Sequence, residues 1–202
     1  MLENIIAKIE GLDEAAMAAA KARQAMLTKP AGSLGRLEEL SIQLAGISGQ
    51  EIPAIKDKVI ITMAGDHGVV EEGVSAFPQE VTPQMVLNFL YGGAAINVLA
   101  KHVGARITIV DMGVAAEMEA HPLLVNKKVA RGTANMTKGP AMTREQAEEA
   151  ILAGVEVVEA EIEKGLDIIG TGDMGIGNTT PSAAIAAALT GIEPAKLAGR
   201  GT

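Results

Sequence analysis

The chain has 202 residues, 48% of them apolar, with two Phe, one Tyr, no Trp and a formal net charge of −8. That length suits one domain with or without an appendage, the core must be aliphatic, and the acidic balance argues against nucleic acid or an anionic membrane as partner. The absence of cysteine excludes disulfides, thiolate catalysis and Cys-ligated metal, and fits a reducing interior.

The opening stretch MLENIIAKIEGLDEAAMAAA carries acids inside its apolar pattern, so it does not read as a signal peptide. No uninterrupted apolar run reaches the ~18 residues of a membrane span, and a cytoplasmic protein is expected. From Leu2 to Leu27 the pattern is helical, with a break near Gly11 and an end before Lys29-Pro30. KPAGSLGR turns the chain into a second helix from about Arg36 to Ser48. These helices precede any strand, so residues 1–50 are expected to form a helical subdomain and 51–202 an α/β domain, incomplete at its C-terminus.

Three apolar runs read as buried parallel strands: Lys58 to Ala64, Arg106 to Met112, and Leu166 to Ile169. Between the first two, Thr82-Pro83 sets a hydroxyl N-cap before a proline and predicts a helix towards Leu90. Ala94 to Val103 supplies another helix. Thr143 and Gln146 have the spacing of a capping box, opening a helix that reaches Lys164. Helix between strands, repeated, implies right-handed crossovers and an α/β sheet covered on both faces.

The chemistry concentrates in Asp167 to Thr180, DIIGTGDMGIGNTT, where an apolar strand breaks into glycines and enters an Ala-rich helix. Glycines let backbone approach a ligand, and the first helical turn offers unpaired N–H groups with the positive end of the dipole. The run matches Gly-x-Gly-x-x-Gly at Gly170, Gly172 and Gly175, and a Walker-type spacing from Gly172 to Gly177 except that Asn178 stands where the lysine belongs. Without that lysine, triphosphate hydrolysis is disfavoured. A dinucleotide site lacks a suitably placed acid, since Glu193 follows a helix and a turn. A monophosphate-sized anion fits better, and a merely connecting Gly-rich turn is the plain alternative.

Each strand also ends in a loop-borne polar group: Asp66-His67, Asp111 and Asp173. These could meet ribose, base or a divalent metal, or simply accept backbone N–H groups; no metal is expected, because His67 has no second histidine nearby. The long segment from Gly65 to Gln84 has no core pattern until Thr82, and long loops in compact domains are usually functional. Phe77, beside Ser75 and Pro78, either packs on a planar heterocycle or pins the loop to the core.

The successive motifs KPAGSLGRLE, AGDHGVVEEGVSAFPQEVTPQMVLNFLYGGAAINVLA, VDMGV, RGTANMTKGPAMT, GTGDMGIGNTTPSAAIAAALTG and GRGT resemble the nicotinate-nucleotide:dimethylbenzimidazole phosphoribosyltransferase family, from about Lys29 onward. The resemblance implies transfer of phosphoribose from nicotinate mononucleotide to 5,6-dimethylbenzimidazole or a related base. The products are α-ribazole 5′-phosphate and nicotinate, with inversion at the anomeric carbon, in synthesis of the cobalamin lower ligand. It also implies a Rossmann-like parallel sheet with a small helical domain, a homodimer, and no metal or organic cofactor.

Carried over position by position, Gly175, Ile176, Gly177 and Asn178, with Gly201 and Thr202, match the loops that hold the nucleotide phosphate. Ser75, Phe77, Pro78, Gln84 and Met85 match the loop lining the base pocket, with Met174 nearby. Asp173 matches a position that is Glu in the family and faces the ribose or base, one methylene shorter here. The family's general base, a glutamate far downstream, has no counterpart in this sequence. Because the chain stops at GRGT, inside a Gly-rich loop, a shortened sequence is expected, with weak binding or no turnover. A non-catalytic nucleotide- or base-binding module is the alternative, and an NAD(P)-dependent oxidoreductase a third reading.

Overall fold

The computed structural model describes residues 2–201. Residues up to Lys56 form one compact unit and those from Asp57 onward another. The first unit holds α1 (Leu2–Ile6), α2 (Glu14–Met26) and α3 (Arg36–Ser48). The predicted break near Gly11 falls between α1 and α2, and Asp13 caps α2 by accepting the Ala16 N–H at 2.9 Å. Ala16, Ala20 and Ala45 are the buried contacts of this unit. A Cβ at Gly46 would lie 2.7 Å from the Met17 side chain, so a small residue is needed where the two helices touch.

The second unit is a parallel α/β sheet. Its strands are β1 (Lys58–Gly65), β2 (Arg106–Gly113), β3 (Leu124–Asn126) and β4 (Ile168–Met174), arranged β3-β2-β1-β4 and parallel at each pairing. The helices are α4 (Val81–Leu90), α5 (Ala95–His102), α6 (Arg144–Glu163), α7 (Thr179–Thr190) and α8 (Pro194–Leu197).

Strand alternation divides the core into two layers. Ala64 and Ile109 pack with Val86, Phe89 and Leu90 of α4, while Val59, Ile61 and Val110 pack with Val157 of α6. Both faces of the sheet therefore carry helices. α6 begins with the predicted capping box, Thr143 Oγ1 accepting the Gln146 N–H and Gln146 Oε1 accepting the Thr143 N–H. It is tied to β2 through Glu161, which accepts from Thr108 Oγ1 at 2.8 Å and pairs with Arg106 and Lys164.

Two local expectations change. The third predicted strand, Leu166 to Ile169, lies further along and continues to Met174, so Gly170 and Gly172 are strand residues rather than loop. Their reason is lateral packing: a Cβ at Gly170 would sit 2.5 Å from Ile60 Cδ1 and one at Gly172 would sit 3.3 Å from Thr62 Oγ1. Thr82 is not the N-cap of α4 but a residue of its first turn; Glu80 takes the cap position without a side-chain bond. Short β3 has no counterpart among the predicted strands.

Candidate active site

The chain runs β1, β2, β3 towards one edge of the sheet and then returns to place β4 on the other side of β1. Where strand order reverses, the loops leaving the carboxyl ends of neighbouring strands diverge and open a crevice. Here that crevice lies between the segment after β1 and the segment after β4, and it holds a cavity of about 350 Å³.

One wall comes from Ser75, Phe77 and Met85, the other from Met174, Gly175, Ile176, Gly177 and Asn178. Residues separated by roughly a hundred positions are thus brought together. Val74, Val81 and Thr179 complete the lining; the two valines were not singled out in the sequence, whereas Thr179 belongs to the helix start whose first-turn amides the sequence offered to an anion. Phe77 is 48% exposed, so it faces the crevice rather than pinning the loop to the core. Ser75 Oγ accepts the Phe77 N–H at 3.2 Å, which fixes the tip locally. Pro78 and Gln84 do not line this cavity: Pro78 O accepts the Val81 N–H at the entry to α4, and Gln84 is exposed on that helix.

The β1 loop owes its shape to cross-bracing. Gly68 to Glu72 form a 3-10 turn, Thr133 Oγ1 accepts the Gly68 N–H at 3.2 Å, and Asn135 Nδ2 donates to Glu72 at 2.7 Å. A Cβ on Gly68 would fall 2.6 Å from backbone of Ala134 and Asn135, so only glycine permits this approach.

The amides after β4 divide into two groups. Ile176 N–H donates to Thr82 Oγ1 at 3.1 Å and Asn178 N–H to Gly175 O at 3.0 Å. The N–H groups of Gly177 and Thr179 have no hydrogen-bond partner among the described residues. Both stand at the N-terminal end of α7, where unpaired amides and the helix dipole favour an anion. Gly177 has φ +80°, the left-handed region that lets the loop present its amides this way. Gly201 comes back to the same place: a Cβ on it would be 2.8 Å from Thr179 Oγ1. Thr202, matched to the same phosphate loops, lies outside the described residues.

Asp173 is exposed near the end of β4 and accepts from Asn178 Nδ2 at 2.5 Å; it does not line the cavity. His67 stands between this region and β1, its Nε2 2.9 Å from where a Gly175 Cβ would be. Burial pushes its pKa below the ordinary 6.5, against the opposing pull of Asp66 and Asp173. Asp111 serves the architecture, since its Oδ1 accepts the Val114 N–H at 2.9 Å and its Oδ2 pairs with Lys128 at 3.3 Å. Among the described residues no group of three or more His, Asp or Glu is placed to hold a metal ion, and no helix is long and apolar enough to cross a membrane.

A phosphoribosyltransferase family model matches residues 9–202. The chain belongs to this phosphoribosyltransferase family. Among its relatives, the nicotinate-nucleotide–dimethylbenzimidazole phosphoribosyltransferase of Roseiflexus sp. (strain RS-1) is 58% identical over 201 residues, covering 100% of this chain and 57% of that protein. The protein of the same name from Dehalococcoides mccartyi (strain CBDB1) is 56% identical, again over 100% of this chain and 57% of the relative. The crystal structure of CobT from Thermus thermophilus superposes with a TM-score of 0.91 at 50% identity, covering 93% of this chain and 56% of that one. The chain thus spans a little over half the length of these relatives.

Proposed function

We propose that this chain carries the nucleotide-binding crevice of a nicotinate-nucleotide:dimethylbenzimidazole phosphoribosyltransferase, which moves phosphoribose from nicotinate mononucleotide to a benzimidazole. One observation supports it above others: the open amides of Gly177 and Thr179 stand at the mouth of a cavity walled by Phe77, Met85 and Met174. An anion-binding helix end beside a flat apolar slot suits a phosphate at one end of a ligand and a planar ring at the other.

In this reading the phosphate sits on the Gly177 and Thr179 amides, with Gly175, Ile176 and Asn178 shaping the loop and Gly201 approaching it at Thr179; Thr202 is assigned to the phosphate by the family likeness alone. Ser75, Phe77, Met85 and Met174 hold the ring; Pro78 and Gln84, matched to the same base-binding loop by the family likeness, lie outside this cavity. An azole nitrogen forms a bond to the anomeric carbon, the bond from that carbon to nicotinate breaks, and the azole N–H proton leaves. Asp173 lies outside the cavity lining but is hydrogen-bonded to Asn178 of its wall, and in this reading its charge favours the positive charge that develops on the ribose. The same likeness supports a cytoplasmic homodimer, with residues up to about 50 serving as a small helical domain.

No carboxylate lines the cavity among the described residues, and an efficient reaction needs a base for the azole proton. That observation favours a second reading, substrate binding without turnover by this chain.

Calorimetry with nicotinate mononucleotide and with its riboside, which lacks the phosphate, tests the cradle. The mononucleotide is expected to bind at least about tenfold more tightly, as charge-assisted hydrogen bonds require, and Gly177→Ala should remove that advantage, since its Cβ would lie 2.8 Å from Val70 Cγ2. Equal affinity for both ligands would sink the phosphate assignment. A turnover assay with a benzimidazole separates enzyme from binding module.

A further inference from the structure

Asn178 stands in the wall of the crevice between Gly177 and Thr179, the two residues whose amides are open. Its Nδ2 donates to Oδ2 of Asp173, which lies outside the cavity lining, exposed near the end of β4. A carboxylate only accepts hydrogen bonds, so the amide meets it in one orientation alone; turned the other way, Asn178 would set its own carbonyl oxygen against that of Asp173. With Nδ2 committed to Asp173, Oδ1 is left without a donor among the described residues. It also stays accessible, because Asn178 is half-buried and the buried side-chain atoms without a partner belong to Gln24, Asp66 and Arg106.

The other polar side chains of the lining among the described residues are Ser75 and Thr179, hydroxyls that donate or accept as a ligand requires. Ser75 Oγ already accepts the Phe77 N–H, which leaves its O–H as a donor. Asn178 Oδ1 is thus the side-chain atom of this lining that can act only as an acceptor. It sits one residue from each amide assigned to the phosphate. A phosphate oxygen is itself an acceptor and is disfavoured there, so the neighbouring part of the ligand has to bring a donor. In a nucleoside 5′-phosphate the ring occupies the apolar slot, and the donor nearest the phosphate arm is the sugar's 3′-hydroxyl, carried by the carbon next to the one that bears the arm.

We infer that Asn178 Oδ1 accepts a hydrogen bond from the 3′-hydroxyl of the bound nucleotide, and that Asp173 is a positioning residue that holds the amide with this acceptor towards the ligand. The pair makes the crevice selective for a sugar that keeps this hydroxyl. The inference rests on the phosphate reading given above and deepens it, by naming the group that is read beside the phosphate.

Calorimetry of the protein with nicotinate mononucleotide, with its 3′-deoxy analogue and with the riboside tests it. Wild type should bind the mononucleotide about fivefold or more tightly than the 3′-deoxy form, as one neutral hydrogen bond is worth. Asn178→Ala should bring that ratio close to one while the mononucleotide keeps its advantage over the riboside. Asp173→Ala, at an exposed position, frees the amide to turn and should lower the same ratio about twofold or more; Asp173→Glu retains a carboxylate acceptor and should restore it. The charge of Asp173 acts on both ligands alike and cancels in the ratio, so a loss there reports the orientation of the amide. Equal affinity of wild type for the mononucleotide and its 3′-deoxy form overturns this inference alone, as does a ratio unchanged in Asn178→Ala or, should that protein fail to fold, in Asp173→Ala. Loss of the wild-type advantage over the riboside overturns the phosphate reading, and absence of saturable mononucleotide binding overturns both.

Discussion

Thr82 shows how one hydroxyl can act differently from what its sequence position suggests. Thr-Pro at a helix start reads as a cap, yet the side chain is fully buried and takes the amide of Ile176, 94 positions away. That bond joins α4 to the loop after β4 and keeps one amide out of the ligand's reach while its neighbours stay open. Thr82→Val keeps the shape and removes the acceptor, leaving a buried N–H unpaired; the cost should be about 1–3 kcal/mol in denaturant unfolding. Nicotinate mononucleotide binding should weaken with it, and Thr82→Ser should restore most of both. Thr82→Val protein as stable as wild type would mean that the Ile176 amide finds another partner. No reading of local spacing could have found this contact, because the capping rule concerns groups three residues apart and this one depends on the sheet bringing α4 beside β4.

At the scale of elements, most of the fold was legible where a local device fixes it. The Thr143 capping box, the proline and glycine punctuation after α2 and the apolar runs of β1 and β2 each act over a few residues. β4 was not legible in full, because glycine weakens a strand locally and reads as its end. Its tolerance of Gly170 and Gly172 comes from β1, whose Ile60 and Thr62 side chains occupy the space that side chains on β4 would need. The glycines of one motif therefore have different roles, and substitution should separate them. At Gly170 the added methyl meets only the flexible end of Ile60, so Gly170→Ala should stay within about 1 kcal/mol of wild type once reduced unfolded-state entropy is included. At Gly175 the methyl would lie 2.0 Å from the Gly65 carbonyl oxygen, a backbone atom that cannot swing aside, and Gly175→Ala should cost about 3 kcal/mol or more. Thermal unfolding of the two variants side by side checks the order; equal losses would show that the loop after β4 relaxes freely. β3, only three residues long, falls below what periodicity can detect.

For the molecule as a whole, the crevice follows from strand order, and strand order is set by which apolar faces find each other. The alanine-rich α7 illustrates the limit: its composition reads as core, yet none of its residues is buried and Leu189 is 82% exposed. Acid stability is a second property of the whole, since two groups in different places act in the same direction. His67 is held below its ordinary 6.5 by burial, so the unfolded chain binds a proton more readily than the folded one and folding loses stability as pH falls. Its contribution is complete above 6.5 and is lost as pH drops through the lower folded value. Burial would raise Glu161, but bonds from Lys164, Thr108 and Arg106 outweigh it and hold the carboxyl below 4.5. Its contribution is likewise present above 4.5 and lost as the folded value is crossed. Urea midpoints measured from about pH 8 to about pH 2.5 should therefore fall in two stages, the first opening below the histidine value and the second below the carboxylate value. His67→Asn should flatten the first stage, and Glu161→Gln should flatten the second while lowering the midpoint at neutral pH, because it removes the charge that Arg106 and Lys164 face. A first stage that persists unchanged in His67→Asn would place the neutral-range proton uptake at another group and remove His67 from the account.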